Sequence, residues 1–302
     1  MLPRHLARSL GAVALALLSP GTRSGAQPLL IPNQMAKSLT VELHSVADDV
    51  RIVSGDPQVL FAIELRPFES EPPRIDFSNF AQTATLRVLD LSLLEAERPA
   101  GDEGEEQDEE APPEEPAAPQ PVAQTWNIKL MPPAPTTFLL QCDGRGKGFF
   151  DFTDMQVREV HLIGDTTALS LRFGRPNPVS LERLKVTARA GKLEIHGLLN
   201  AWPRLATLQL QGAACDVDLD GRPFTGEAEI FFEGVPAALR ISLRRGVAVR
   251  IDGPAAAVTR FDRSGLERQG LALASPNYNA AACRLHLYFS QAIPGLEVRW
   301  LE

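Results

Sequence analysis

The sequence predicts an all-β chain folded as one elongated β-solenoid. Three observations carry this expectation. First, short stretches alternate apolar and polar residues, as in Val160-His161-Leu162, Leu184-Lys185-Val186, Leu208-Gln209-Leu210 and Ile230-Phe231-Phe232. Second, the apolar positions Leu162, Val186, Leu210 and Phe232 recur at steps of 24, 24 and 22 residues, and a companion row, Leu171, Ile195, Leu219 and Ile241, repeats the same steps. Two strands recurring together read as stacked coils of 22–24 residues, each burying its apolar row against the next. Third, period two beats period 3.6 in nearly every window, so no long amphipathic helix is expected.

The elements follow in order. Residues 1–26 read as a signal peptide: Arg4 and Arg8 precede the apolar run Leu10 to Leu18, Pro20-Gly21 break it, and Ser24-Gly25-Ala26 supply small residues before Gln27. That run is shorter than the ~20 helical residues a bilayer crossing needs. The alternative is an uncleaved anchor. No Cys follows the cut and no later segment is long and apolar enough to span, so an exported, soluble mature chain is expected, in the periplasm, at the cell surface or secreted. Residues 27–38 are Pro-rich and read as extended, and the solenoid is expected over 39–302. Its first strand signals are Leu39-Val41-Leu43, Val50-Ile52, Phe61-Ile63-Leu65, Ile75-Phe77 and Leu86-Val88.

An acidic, Pro- and Glu-rich insertion at 95–123 then interrupts the pattern. Between Glu95 and Glu115 it carries eleven carboxylates against the single base Arg98, and almost no large apolar residue. Such a composition buries too little surface to order itself, so a disordered loop is expected. The formal charge of −8 is therefore misleading. The tract holds −10 of it and the signal region contributes three arginines, which leaves the body of the chain at −1. A near-neutral body has no electrostatic footprint for nucleic acid.

Order resumes at Trp126-Ile128-Leu130, and the repeat runs almost unbroken from Phe138. Gly144, Gly146, Gly148, Gly164, Gly191, Gly212 and Gly234 read as turn residues. Val247-Val249-Ile251 reads as a strand and Asp262 to Gln269 as a loop. Cys283-Leu285-Leu287-Phe289 and Leu296-Val298-Trp300 read as a closing hairpin around Pro294-Gly295.

These residues carry a family resemblance. Phe152-Thr153-Asp154 through Leu171-Arg172-Phe173-Gly174 to Pro176-Asn177 resembles the toast-rack, DUF4097-like adhesin solenoids, which include proteins of the cell-wall antibiotic response. Gly197-Leu198-Leu199-Asn200-Ala201, Val217-Asp218-Leu219-Asp220-Gly221 and Tyr278-Asn279 fit it too. The likeness spans about Leu39 to Trp300. It implies the fold and an envelope or surface role, and no catalytic motif. The chain departs from the family's Gly-x-Gly inner turns, reading Gly164-Asp165-Thr166-Thr167, Gly212-Ala213-Ala214 and Gly234-Val235-Pro236, which marks a divergent member.

The chemical candidates are few. Asp216-x-Asp218-x-Asp220-Gly221 with Glu227 matches the spacing of an EF-hand calcium loop. It lacks flanking helices, and an extended strand holds alternate aspartates about 6.5–7 Å apart, so a solvated strand face is the expectation. His44, His161, His196 and His286 all fall in the polar phase, with His161 and His196 on different strand sets, which disfavours a zinc site. Cys142, Cys215 and Cys283 sit in the apolar phase and read as buried free thiols, with one disulfide as the alternative. Cys283 and His286 lie on opposite phases, against a nucleophile–base pair. Glu194 and Asp218 are expected at equivalent positions one coil apart, the one carboxylate pair worth testing for glycoside cleavage. Phe231 and Tyr288 are outward aromatics.

The expectation is a non-enzymatic, exported envelope or surface interaction module without cofactor. Its partner is an envelope protein or a cell-surface glycan, met by outward side chains such as Arg240, Arg244, Arg250, Glu227 and Glu229. The alternatives are a polysaccharide-acting enzyme and a divalent-ion sensor working through the acidic loop.

Overall fold

A computed structural model of the chain describes residues 31–90 and 124–301, apart from 33–35, 48, 57, 67–72, 81, 133, 166–167, 222–224, 255–259, 262–264 and 294–295. The signal peptide expected at 1–26 and the acidic insertion expected at 95–123 lie outside the described residues. No helix among those described is long and apolar enough to cross a membrane.

The described residues are almost entirely β, with very little helix. Before the acidic stretch come β1 (Ile31–Pro32), β2 (Ser38–Ser45), β3 (Asp49–Ser54), β4 (Val59–Arg66), β5 (Arg74–Phe80) and β6 (Thr83–Leu89). After it come β7 (Thr125–Leu130), β8 (Thr136–Cys142), β9 (Lys147–Asp151), β10 (Val157–Gly164), β11 (Ala168–Arg172), β12 (Leu181–Ala188) and β13 (Lys192–His196). A four-residue helix, α1 (Leu198–Ala201), turns into β14 (Pro203–Leu210), β15 (Ala214–Leu219), β16 (Gly226–Glu233) and β17 (Ala238–Arg244). The last strands are β18 (Ala248–Asp252), β19 (Arg260–Phe261), β20 (Glu267–Gln269), β21 (Ala272–Ala274), β22 (Cys283–Phe289) and β23 (Leu296–Leu301).

These strands form two long sheets, mostly parallel, that share one core. The first runs β1-β4-β7-β3-β9-β11-β13-β15-β17-β23-β19, and the second runs β20-β21-β18-β22-β16-β14-β12-β10-β8-β2-β6-β5. Each coil gives one strand to each sheet. The inner face of the first sheet carries an unbroken row: Ile63, Ile128, Ile52, Phe150, Leu171, Ile195, Val217, Ile241 and Val298. The facing row of the second sheet is Leu86, Val41, Phe138, Val160, Leu184, Ala206, Ile230, Leu287 and Ile251. All are buried, and each large side chain removed from water contributes about 1.5–3 kcal/mol. The alternating phase read from the sequence is therefore the phase of the fold.

Three details of the sequence reading change. Val186 stands beside Leu208 rather than Leu210, and Ile195 beside Val217 rather than Leu219. The short coil is thus the one between β12 and β14, where α1 makes a tight corner. The coils also do not stack in chain order. The coil of β2 and β3 lies between that of β6 and β7 and that of β8 and β9. Finally, Cys283–Phe289 and Leu296–Leu301 are not a hairpin. They form one more coil, with β22 parallel to β16 and β23 parallel to β17, and β18 joins the second sheet on the far side of β22.

The turns explain several sequence signals. The Asn177 side chain closes both backbone groups of Val157: its Oδ1 accepts from Val157 N at 3.0 Å, and its Nδ2 donates to Val157 O at 2.6 Å. Gly234 has φ +84°, and a Cβ there would lie 2.2 Å from the carbonyl oxygen of Leu210, so only glycine fits. Gly148, read as a turn, is inside β9.

Candidate functional site

On the first sheet, most outward carboxylates near β15 are held in ion pairs. Asp216 meets Arg240 at 3.2 Å and Lys192 at 3.4 Å, Arg240 also meets Glu297 at 3.0 Å, and Asp220 meets Arg244 at 3.2 Å. Lys192 also binds Glu194. In-register pairing puts Glu194 opposite Asp216, not Asp218, so the expected pair one coil apart is a diagonal one. Burial raises the Asp218 carboxyl above its usual range, only partly countered by the backbone N–H of Asp220. The calcium-type spacing does not close into a site. Asp216 and Asp218 lie on β15 and Asp220 just beyond it, all at the first sheet, whereas Glu227 lies on β16 of the second.

The thiols and imidazoles are placed as follows. Cys142, Cys215 and Cys283 are free. Burial pushes the Cys142 thiol up to about 12 and raises Cys215 as well, which makes both poor nucleophiles. His44 meets Asp143 at 2.8 Å. His161 and His196 sit on different sheets, each more than 3.5 Å from its nearest carboxylate.

The second sheet concentrates the remaining chemistry on its outer face, where β14, β16, β22 and β18 lie side by side. One row across these strands is Leu205, Glu229, His286 and Arg250, and the next is Thr207, Phe231, Tyr288 and Asp252. Several of these groups are pinned. The Tyr278 hydroxyl donates to Glu227 at 2.9 Å, and Arg284 meets the other oxygen of Glu227 at 3.1 Å. Burial raises the Tyr278 phenol far above its ordinary value, and the bond to Glu227 adds to this. Asp252 receives Arg250 at 2.6 Å and contacts His286 Nε2 at 2.7 Å. Burial alone would raise the Asp252 carboxyl, but Arg250 and then His286 more than offset it, and the net shift is downward.

Against this fixed frame stand groups with no hydrogen bond or ion pair among the described residues. Glu229 and Arg204 border an open cavity of about 430 Å³, which Glu182, Leu205 and Glu227 complete. Beside it the Phe231 and Tyr288 rings pack outward at 5.3 Å between centroids, tilted by 48°. Glu227, Glu229 and His286 bring one ligand atom each within 4.8 Å of one another. Two carboxylates and an imidazole suit a divalent first-row metal, but both oxygens of Glu227 already have partners and the Arg284 guanidinium lies against it.

The five recognition residues expected from the sequence do not share a surface. Arg240 and Arg244 belong to the first sheet; Glu227, Glu229 and Arg250 belong to the second. Sequence reasoning passed over Arg204, the bond from Tyr278 to Glu227, and the pairing of His286 with Glu229 and Asp252. One signal was available: β16 carries Phe231-Phe232 and β22 carries Tyr288-Phe289, so each strand places one aromatic outward and one inward at the same level.

No family model matches the chain, and no curated protein matches it in sequence. Among solved structures, the chain is similar to a "putative cell adhesion protein" from Clostridium sporogenes. The match has 12% identity, covers 91% of this chain and 98% of that one, and gives a TM-score of 0.36.

Proposed function

We propose that the protein is a non-enzymatic, exported module of the cell envelope or surface, and that the outer face of its second sheet holds its partner. We read it as a divergent toast-rack-like solenoid. The observation that carries the proposal is the Phe231–Tyr288 pair set beside the unpartnered Glu229 and Arg204, within charged groups that are already fixed in place. Tyr, Phe and Arg are the residues enriched where interfaces draw most of their energy. A surface built on packed strands is ordered before binding, so less entropy is lost on association. The outward carboxylates of the first sheet are, by contrast, largely tied up in ion pairs. The non-enzymatic reading is supported by the same face, since Glu194 is bound by Lys192 and does not stand opposite Asp218.

The test is retention on isolated envelope material from the native host. Phe231→Ala with Tyr288→Ala is expected to weaken retention roughly 30-fold, the effect of losing about 2 kcal/mol at an interface hot spot. Glu194→Gln on the first sheet is expected to leave retention unchanged. Equal retention of the double variant and the native protein would remove the second-sheet face from the account.

A further inference from the structure

The ring pair of the second sheet is a small apolar platform with a polar rim. Phe231 and Tyr288 stand opposite each other on β16 and β22. Outward side chains follow one another about 6.5–7 Å apart along a strand and about 4.8 Å apart between strands. Glu229 and Glu233 therefore flank Phe231 on its own strand, and His286 precedes Tyr288 on the other. Thr207 stands beside Phe231, and Asp252 beside Tyr288. Each of these rim side chains carries a hydrogen-bonding group, and two of the carboxylates are held in place. Thr187 Oγ1 donates to Gln209 Oε1 at 3.0 Å, and Gln209 Nε2 donates to Glu233 Oε2 at 2.9 Å. Asp252 is fixed by Arg250 and His286. A carboxylate held by one or two donors keeps lone pairs for more.

The cavity beside the rings decides between kinds of partner. A protein partner draws most of its energy from an anchor in a well-packed, desolvated pocket. Among the described residues, this cavity is lined by Leu205 and four charged side chains, which suits no apolar anchor. Three of the four are carboxylates, Glu182, Glu227 and Glu229, against the single base Arg204, which disfavours an anionic polymer. A ligand that is apolar on its faces and hydroxylated around its edge meets both conditions. A pyranose ring has that form. Its axial C–H bonds lie flat on an aromatic ring, and its equatorial hydroxyls, each donor and acceptor at once, point outward to carboxylates and a guanidinium. Taking the second-sheet face as the recognition surface, on which the inference rests, we propose that its partner is an uncharged glycan. One sugar stacks on Phe231 and Tyr288, and the hydroxyls of the next bond Glu229 and Arg204 in the adjoining cavity. These two groups are the ones that have no hydrogen bond or ion pair among the described residues, so no bond within the chain is broken to receive the sugar.

The experiment uses envelope material from the native host, digested exhaustively with protease and immobilised as saccharide, with binding of the protein followed by biolayer interferometry. The native protein is expected to bind. Raised salt should leave binding unchanged, since the ligand has no charge to screen. Periodate, which cleaves the vicinal diols of the saccharide, should abolish it. Tyr288→Leu keeps apolar area and removes the ring, and should weaken binding roughly tenfold. Its thermal melt should match that of the native protein, since Tyr288 is 39% exposed. Retention on whole envelope without binding to the saccharide would overturn the glycan and give the face a protein partner. Binding that survives periodate, falls with salt or is indifferent to Tyr288→Leu would overturn it too. A protein not retained even on whole envelope would overturn the recognition face and the glycan together.

Discussion

Ile195→Asp is expected to abolish folding. Ile195 has no solvent exposure and sits mid-row between Leu171 and Val217 on the inner face of the first sheet. Its neighbours in the inner row, Leu171 and Val217, are aliphatic and offer a carboxylate no partner. Burying one unpaired charge costs several kcal/mol, and losing the isoleucine forfeits about 2 kcal/mol more. Against a net stability of about 5–15 kcal/mol, that leaves little or nothing. Lys185→Ala, on the exposed face of β12, should fall within about 0.5 kcal/mol of the native protein. Thermal melts followed by far-ultraviolet circular dichroism separate the two. Matching melts for both variants would overturn the assignment of inner and outer faces.

Phe232→Ala is expected to cost about 3–5 kcal/mol, as for other large buried aromatics. The ring stacks on Phe289 at 4.9 Å with planes 10° apart, and both side chains are buried. Phe289→Ala should cost a similar amount. Because the two rings border one space, the double variant should lose clearly less than the sum of the single losses. Urea unfolding reads this directly, as a lowered midpoint with little change in slope. Additive losses would mean the rings do not touch. That would return β22 to a hairpin with β23, the arrangement the sequence alone suggested.

The comparison of sequence with structure divides along physical lines. The phase of each strand was legible, because Leu162, Val186 and Ile230 must face a core whatever their neighbours are. The register was legible only to within two residues. A slip of two leaves every apolar side chain facing inward, so nothing in the pattern separates Leu208 from Leu210 as the partner of Val186. The order of the coils was not legible. The strand Leu39-Val41-Leu43 looks the same whether its neighbour is β6, β8 or β10, and parallel pairing is settled by contacts far apart in sequence. The candidate site fell into that gap. Glu229 meets His286, and Phe231 meets Tyr288, only because β22, far along the chain, docks on β16. The first sheet illustrates the opposite case. Asp216, Asp218 and Asp220 drew attention through spacing alone, and the fold spends Asp216 and Asp220 on ion pairs and leaves Glu227 on the other sheet.

The central claim is that the outer face of the second sheet meets the partner. Site-specific photo-crosslinking in the native host tests it most directly, with benzoylphenylalanine placed in turn at Tyr288, Leu205, Glu194 and Asp218. All four side chains face outward, the first two on the second sheet and the last two on the first. The account predicts one shared adduct from positions 288 and 205 and none from 194 and 218. Adducts from 194 and 218, with none from 288 and 205, would contradict it.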